Sequence, residues 1–276
     1  MKLPGPNVPT LVDRESLARR RARRREDALF LHHAAVREIK DRLSMVNRTF
    51  TDVAVVAPFA DIWAQEFQDA RLVAESETLD LDYGSRDLIV HAMALHWAND
   101  PVGQIIQCRR ALRPDGLFLA ICPGGATLNE LRKSLAQAET EETGGLSPRI
   151  APMAEIRDLG ALLQRAGFAL PVADGFDLKV EYRDLWHLMR DLRGMGESNA
   201  LAARLRQPTR RSVFRRADAI YRSGYGLSTG RLPATFELIC LTGWAPADTQ
   251  PKPLRPGAAT TRLADALGTT EGKLSD

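Results

Sequence analysis

The chain has 276 residues, of which 44% are hydrophobic, and its 38 basic residues nearly balance 35 acidic ones. This length and apolar content suffice for one substantial domain with additions, and the near-neutral charge gives no sign of nucleic-acid binding. No apolar run approaches the ~20 residues that a membrane-spanning helix needs. Three unclustered cysteines lie within apolar segments, which predicts reduced core thiols in a reducing, cytoplasmic compartment: Cys108, Cys122 and Cys240.

An arginine-rich helix is predicted in the N-terminal segment, residues 1–50. It begins near Asp13, carries arginines at 19–21 and 23–25, and continues as an apolar stripe through Met45. Acidic residues interrupt the run, unlike a transit peptide, and the apolar segment of a signal peptide is absent. The arginines predict either a solvated helix face or a docking surface for an acidic partner or an anionic membrane.

The first strand is predicted at residues 52–57, and the loop that follows it, residues 58–63, contains no glycine. No glycine occurs anywhere between Gly5 and Gly84. The next apolar stretch, residues 71–75, follows after room for only one short helix. Helix, strand and second helix do not fit in that space, because one crossover alone takes a dozen residues or more.

A strand–helix–strand unit is predicted over residues 87–122. After the acidic Asp87 comes an apolar run to Leu95, typical of a parallel strand buried on both faces, and ligands bind beyond the carboxyl ends of such strands. His96 and Trp97 stand at that end. His96 can serve as an acid, a base or a hydrogen-bond donor, or can bond a backbone carbonyl. Trp97 can stack on a ligand or wedge the following helix against the sheet.

Five residues further along the chain are candidates for a substrate or partner site. Gly124 and Gly125 follow the second strand of this unit and predict either a close backbone approach or a simple turn. Arg149 lies in a loop, where a guanidinium can clamp an anion or remain solvated. Glu197 and Asn199 lie in a glycine-bounded loop, and their polar groups predict substrate contacts or, for Asn199, helix capping.

The remaining elements complete an α/β domain at residues 51–245. Helices are predicted at 126–142 and 155–165, and a strand at 172–182. A helical insertion at about 184–225 contains helices at 184–192, 200–206 and 212–221. The last strand, residues 234–244, is predicted to be antiparallel, and the tail, residues 246–276, to fray despite a short helical pattern at 263–267.

The stretch DLIVHAMALHWANDPVGQIIQCRRALRPDGLFLA resembles the fourth strand, the following helix and the fifth strand of class I S-adenosylmethionine-dependent methyltransferases. Its LHWANDP element resembles both malonyl-carrier-protein methyltransferases of biotin synthesis and the methyltransferase-like assembly factor 5 family of respiratory complex I. Three downstream stretches favour the assembly factor family: GGATLNELRKSLAQAE, GGLSPRIAPMAEIRDLGALLQRAGF and DLRGMGESNAL. The resemblance extends over residues 29–256.

The resemblance implies a Rossmann-like class I methyltransferase fold with a shortened N-terminal half, and S-adenosylmethionine as cofactor. Such a fold uses a glycine-rich loop after its first strand and an acidic residue after its second. Residues 71–75 are then either the third strand, with the second missing, or the second strand, with Glu75 as the ribose-binding acid. The cofactor-binding residues that the resemblance implies are Ala57, Glu75, His91, His96 and Trp97.

Three functions follow from the resemblance. The protein is a methyltransferase, an assembly factor acting on a complex I subunit (a family associated with arginine hydroxylation), or a non-catalytic scaffold for such a subunit. No iron-binding triad stands out in the sequence. The downstream stretches of the assembly factor family are present, while the N-terminal half that would bind the cofactor is shortened. This combination favours the second or the third function, and either allows peripheral contact with a membrane. If the protein is an enzyme, we expect an open pocket bounded by Ala57, Glu75 and residues 91–96. If it is a scaffold, we expect Phe59 or Trp63 to fill that pocket.

Overall fold

A computed structural model describes residues 10–250 and residue 268 of the chain. The described residues up to Pro246 belong to one compact unit, and residues 247–250 belong to a second. The helical pattern predicted at 263–267 and most of the predicted tail lie outside the described residues. None of the described helices is long and apolar enough to cross a membrane.

Six strands form one mixed sheet. The first four, β1 to β4, are parallel to one another, and β6, antiparallel as the sequence predicts, lies between β4 and β5. Their bounds are β1 Val53–Val56, β2 Arg71–Val73, β3 Arg86–Ala92, β4 Leu112–Pro123, β5 Ala169–Tyr182 and β6 Leu232–Trp244, in the spatial order β2-β1-β3-β4-β6-β5. The predicted α/β architecture is confirmed.

The described residues form eight α-helices. They are α1 Arg14–Arg21, α2 Phe30–Ser44, α3 Ala60–Ala64, α4 Pro101–Ala111, α5 Asn129–Thr143, α6 Ile156–Arg165, α7 Leu185–Gly194 and α8 Arg211–Tyr225. Short polar side chains fix several starts, as expected for N-caps. Asp13 accepts a hydrogen bond from Ser16 N at 2.9 Å, and Asp100 accepts one from Gly103 N at 2.8 Å before Pro101 at the first helical position.

The helix predicted at residues 200–206 is wrong. Its backbone pairs instead with the chain just before α1: Asp13 N donates to Ala200 O at 2.9 Å, and Ala202 N donates to Leu11 O at 2.9 Å. Backbone groups used in this bridge are not available for helical hydrogen bonds. The bridge also brings α1 against the loop that carries Glu197.

The sheet order decides how residues 71–75 are placed. β2 pairs with β1 in parallel, Val56 opposite Val73, while β3 pairs with the other side of β1. In the doubly wound order 3-2-1-4-5, β2 therefore occupies the second position, and no strand of the described residues lies outside it. The interpretation of residues 71–75 as the third strand is wrong in position, and Glu75 lies just past the second strand.

Two apolar clusters sandwich the sheet. One lies under α2, α5, α7 and α8, and the other under α4 and α6. In α2, Leu31, Ala35 and Ile39 recur every four residues and are buried, as the predicted stripe requires. All three cysteines are buried and free, and burial raises the pKa of Cys122 and Cys240 to about 12. They are protonated thiols at neutral pH, and their predicted position in the core is confirmed.

Candidate functional site

The carboxyl ends of β3 and β4 face a cavity of about 350 Å³, called here the β3–β4 cavity. Its wall is mainly apolar and comes from α2, α5, α7, α8 and β6. The polar side chains that line it are Arg20, His96, Trp97, Thr127, Arg149, Arg193, Glu197, Ser198 and Asn199. An apolar cavity with a few convergent polar groups is typical of a ligand site.

Glu197 is the centre of a buried hydrogen-bond cluster on the wall of this cavity. One carboxylate oxygen accepts from Arg21 Nη2 at 3.2 Å, and the other from His96 Nε2 at 3.1 Å and Trp97 Nε1 at 2.5 Å. Because an ionised carboxylate only accepts, His96 Nε2 carries the hydrogen in this contact. Three residues that the sequence analysis selected separately therefore act as one unit.

The electrostatics of the cluster keep Glu197 ionised. Burial alone would raise the pKa of this carboxyl, but the nearby Arg21 and His96, together with hydrogen bonds from His96 and Trp97, hold its pKa well below the ordinary value. A buried carboxylate with three donors is a rigid structural group. It fixes the short helical turn Leu95–Trp97 against the loop after α7.

Arg21 links Glu197 to Glu75, which lies just past the carboxyl end of β2. Its side chain is 6% exposed and forms an ion pair with Glu75, while Nη2 also lies 3.5 Å from Met93 O. Arg14, the first residue of the same helix, donates hydrogen bonds to Glu75 O and to Trp97 O, the latter at 3.2 Å. The carboxyl ends of β2 and β3 are thus bridged by side chains from α1.

Side chains also fill the space after β1. Phe59 is 2% exposed; its ring lies 4.8 Å from the His32 ring, and the Arg24 guanidinium carbon lies 4.6 Å above its centroid. Trp63 is fully buried as well. Ala57 is buried, and its N–H donates to Val73 O at 3.3 Å. The loop that would hold glycines in a cofactor-binding domain is a packed part of the core.

His91 lies away from the β3–β4 cavity. Its ring is fully buried, and Nε2 contacts Gln104 Oε1 of α4 at 2.9 Å. Gln104 in turn donates to Ser76 O at 2.8 Å. Burial lowers the pKa of His91 to about 4, so the ring is neutral at physiological pH. The residue ties α4 to the segment after β2.

Arg149 lines the cavity but already has a carboxylate partner. Its Nε and Nη2 contact the two oxygens of Glu139 at 2.9 and 2.6 Å, and Nη1 donates to Thr209 Oγ1 at 2.9 Å. Asn199 also lines the cavity, and its side chain bonds Pro148 O and Leu201 N at 2.8 and 3.1 Å. Both side chains brace the loops around the cavity.

Gly124 and Gly125 allow close packing rather than lining the cavity. A Cβ at Gly124 would lie 2.5 Å from Ile239 Cδ1 in the buried strand β6. At Gly125 it would lie 2.3 Å from Glu155 Oε1, the end of an exposed side chain. The two neighbouring glycines therefore differ in how much room a methyl group can find.

Replacing Gly124 with alanine is expected to lower the free energy of unfolding by about 1–3 kcal/mol, because Ile239 is held within the sheet. Gly125→Ala is the matched control and should lower it by less than about 1 kcal/mol, since Glu155 can swing into solvent. Urea denaturation of both variants measures the difference. Equal losses would contradict the packing role of Gly124.

The comparisons agree with this architecture. A family model described as a methyltransferase domain matches residues 31–120. The zebrafish (Danio rerio) protein named arginine-hydroxylase NDUFAF5, mitochondrial, is 40% identical over 194 residues, 70% of this chain and 60% of that protein. The chain belongs to the class I S-adenosylmethionine-dependent methyltransferase superfamily. The resemblance predicted from the LHWANDP element and the downstream stretches is confirmed.

Two further comparisons give lower sequence identity. The malonyl-[acyl-carrier protein] O-methyltransferase of Laribacter hongkongensis is 35% identical over 178 residues, 64% of this chain and 57% of that protein. Among solved structures, YcgJ of Bacillus subtilis matches with a TM-score of 0.48 and 14% identity, over 78% of this chain and 99% of that one. This methyltransferase-like chain spans about three-fifths of the length of the curated relatives it matches.

Sequence reasoning missed Arg21, which was assigned with its neighbours to a solvated face or a docking surface. Arg19 and Arg23 are exposed, but Arg21 is buried. The available signal was its spacing: Arg21 follows the buried Leu17 by four residues and so lies on the same face of α1. Among the described residues, no group of three or more His, Cys, Asp or Glu side chains is placed to hold a metal ion.

Proposed function

We propose that this methyltransferase-like protein takes part in complex I assembly as a scaffold for a complex I subunit, without using S-adenosylmethionine. The observation that carries the proposal is the buried Arg21 side chain, paired with both Glu75 and Glu197 where the strands of the sheet end. In open α/β sheets this edge is where ligands bind. Here the protein's own charges meet there.

The residues at this edge do not fit S-adenosylmethionine. Glu75 stands where dinucleotide-binding folds place the acid that accepts the ribose hydroxyls, yet one of its carboxylate oxygens is bonded to Arg21. Phe59 fills the space after β1, where glycine would let the backbone approach a ligand. Admitting a ribose would separate a buried ion pair, which is strongly unfavourable.

The assembly role is supported by the relatives and by where their shared stretches lie. The zebrafish relative is the NDUFAF5 protein, and its likeness covers 70% of this chain. The stretches that favoured the assembly factor family form α5, α6 and the loop with Glu197, so they include much of the wall of the β3–β4 cavity. Free, buried cysteines support a reducing, cytoplasmic location.

Calorimetric titration with S-adenosylmethionine and S-adenosylhomocysteine tests the cofactor part of the proposal. We expect no saturable heat at millimolar ligand, while a class I methyltransferase run in parallel binds. If S-adenosylmethionine binds with micromolar affinity and Glu75→Gln abolishes that binding, the proposal that side chains close the cofactor site is overturned. Arg21→Ala, if still folded, is a further arm: binding that appears only in this variant would identify Arg21 as the group that closes the site.

The assembly part is tested separately in the source organism. Deleting the gene should reduce the amount of assembled complex I on native gels, and the wild-type gene should restore it. Because no cofactor is needed, Glu75→Gln should restore complex I as well as the wild type does, provided that its melting temperature is unchanged. Normal complex I in the deletion strain would overturn the assembly role, whatever the titration shows.

A further inference from the structure

We propose that the β3–β4 cavity binds a medium-chain fatty acid, with the acyl chain inside the cavity and the carboxylate paired with Arg20 and Arg193. This inference goes beyond the assembly role, which needs no small molecule. It rests on three features of the cavity: its apolar wall, its two unpartnered guanidinium groups and its size.

The apolar wall suits a flexible hydrocarbon chain. Leu131 and Leu135 of α5 face the cavity together with Met189 of α7 and Phe236 of β6. Methionine side chains are unbranched and adapt to irregular apolar ligands. A volume of about 350 Å³ lies near the lower end of ligand pockets, which fits a compact amphiphile better than a two-chain membrane lipid.

The charges of the cavity are not balanced. The carboxylate of Glu197 has both oxygens bonded to Arg21, His96 and Trp97, and Arg149 is neutralised by Glu139. In contrast, neither Arg20 nor Arg193 forms an ion pair or a side-chain hydrogen bond with another residue that the structure describes. Arg20 Nε is buried without a partner. A buried donor without an acceptor is unfavourable, so an anionic group at this point is favoured.

The two arginines lie on adjoining helix ends. The backbone after α1 is bonded to the end of α7, since Arg25 N donates to Gly194 O at 2.8 Å. A Cβ built at Gly196 would lie only 2.9 Å from Arg21 Cα, so the two chain segments touch. Arg20 and Arg193 therefore belong to neighbouring segments of the cavity wall, and the proposed carboxylate is expected to accept from both.

The test is calorimetric titration of the full chain with sodium decanoate below its micellar concentration. We expect saturable one-to-one binding, and at least tenfold weaker binding of decyltrimethylammonium, which has the same chain and the opposite charge. Arg20→Gln should weaken decanoate binding about tenfold, whereas Arg19→Gln, an exposed position on the same helix, should leave it unchanged. Met189→Trp should block binding by filling the cavity.

Each outcome decides the proposal, provided that circular dichroism shows folded variants. Absent saturation, equal binding of both amphiphiles, or an unchanged Arg20→Gln variant would overturn it. Sedimentation with phosphatidylglycerol vesicles without decanoate binding would also overturn it, in favour of a surface contact with lipid head groups. None of these results depends on S-adenosylmethionine or on complex I, so failure here leaves the proposed function intact.

Discussion

Replacing Arg21 with methionine is expected to lower the free energy of unfolding by about 3–5 kcal/mol, because the change leaves buried carboxylates without their counter-charge. Glu75 and Glu197 each lose an ion-pair partner. Methionine preserves most of the side-chain volume, so the loss reports charge rather than a cavity. Urea denaturation at neutral pH measures it.

The matched control for this prediction is Arg23→Met. Arg23 is exposed and lies two residues after Arg21, so its replacement should change the free energy of unfolding by less than about 0.5 kcal/mol. Adding Glu75→Gln to Arg21→Met should restore part of the lost stability, because one uncompensated charge is removed. A loss below about 1 kcal/mol in Arg21→Met would contradict the buried cluster.

Acidification from pH 7 to pH 5 is expected to lower the free energy of unfolding by roughly 4 kcal/mol, through His32 and His91. Burial lowers the pKa of His32 to about 3 and that of His91 to about 4, against 6.5 for an exposed ring. In this pH range the two histidines therefore bind protons in the unfolded chain but not in the folded chain. This stability is fully present above pH 6.5 and is lost as the pH falls toward the folded pKa values.

Glu197 adds to the same trend only at lower pH. Its pKa is held below the ordinary 4.5, so the stability that it contributes is present above that value and is lost further into acid. Between pH 7 and pH 5 the buried histidines are the relevant groups. Loss of stability between pH 7 and pH 5 therefore reports on His32 and His91, and loss at lower pH reports on the Glu197 carboxylate.

The variant that isolates one histidine is His32→Leu. Neither ring nitrogen of His32 has a hydrogen-bond partner among the described residues, so leucine removes the titration without breaking a bond that the structure shows. We expect the loss between pH 7 and pH 5 to shrink by roughly 2 kcal/mol. The control is His33→Leu, at the next position of α2, where the ring is exposed and lies 3.5 Å from Glu26. Identical pH profiles for wild type and His32→Leu would contradict the assignment.

Much of the fold follows from local sequence patterns. The continuous apolar run before His96 predicts a strand buried on both faces, and β3 is such a strand. Asp100 and Pro101 mark the start of α4 because capping and proline act over a few residues. The helix predicted at 200–206 was wrong for the opposite reason: a bridge to residues 11–13, distant in sequence, took its backbone groups.

The candidate site was predictable by residue but not by arrangement. His96, Trp97 and Glu197 were each selected for their chemistry, yet about a hundred residues separate the first two from the third. Arg149 and the glycines were also selected, and the structure gives them bracing and packing contacts. A residue's chemical type shows which bonds it can form. Which bonds it does form depends on what the fold brings near it.

By itself, the sequence determined the class of the fold and the absence of glycine from the loop after the first strand, because both depend only on the order and spacing of residues along the chain. Only the tertiary structure decided that Arg21 lies between Glu75 and Glu197, and that Arg20 and Arg193 line the β3–β4 cavity without an ion-pair partner in the part of the chain that the structure describes. The physical reason is that burial and charge pairing depend on distances through space, which the packing of α1 against the ends of β2 and β3 sets.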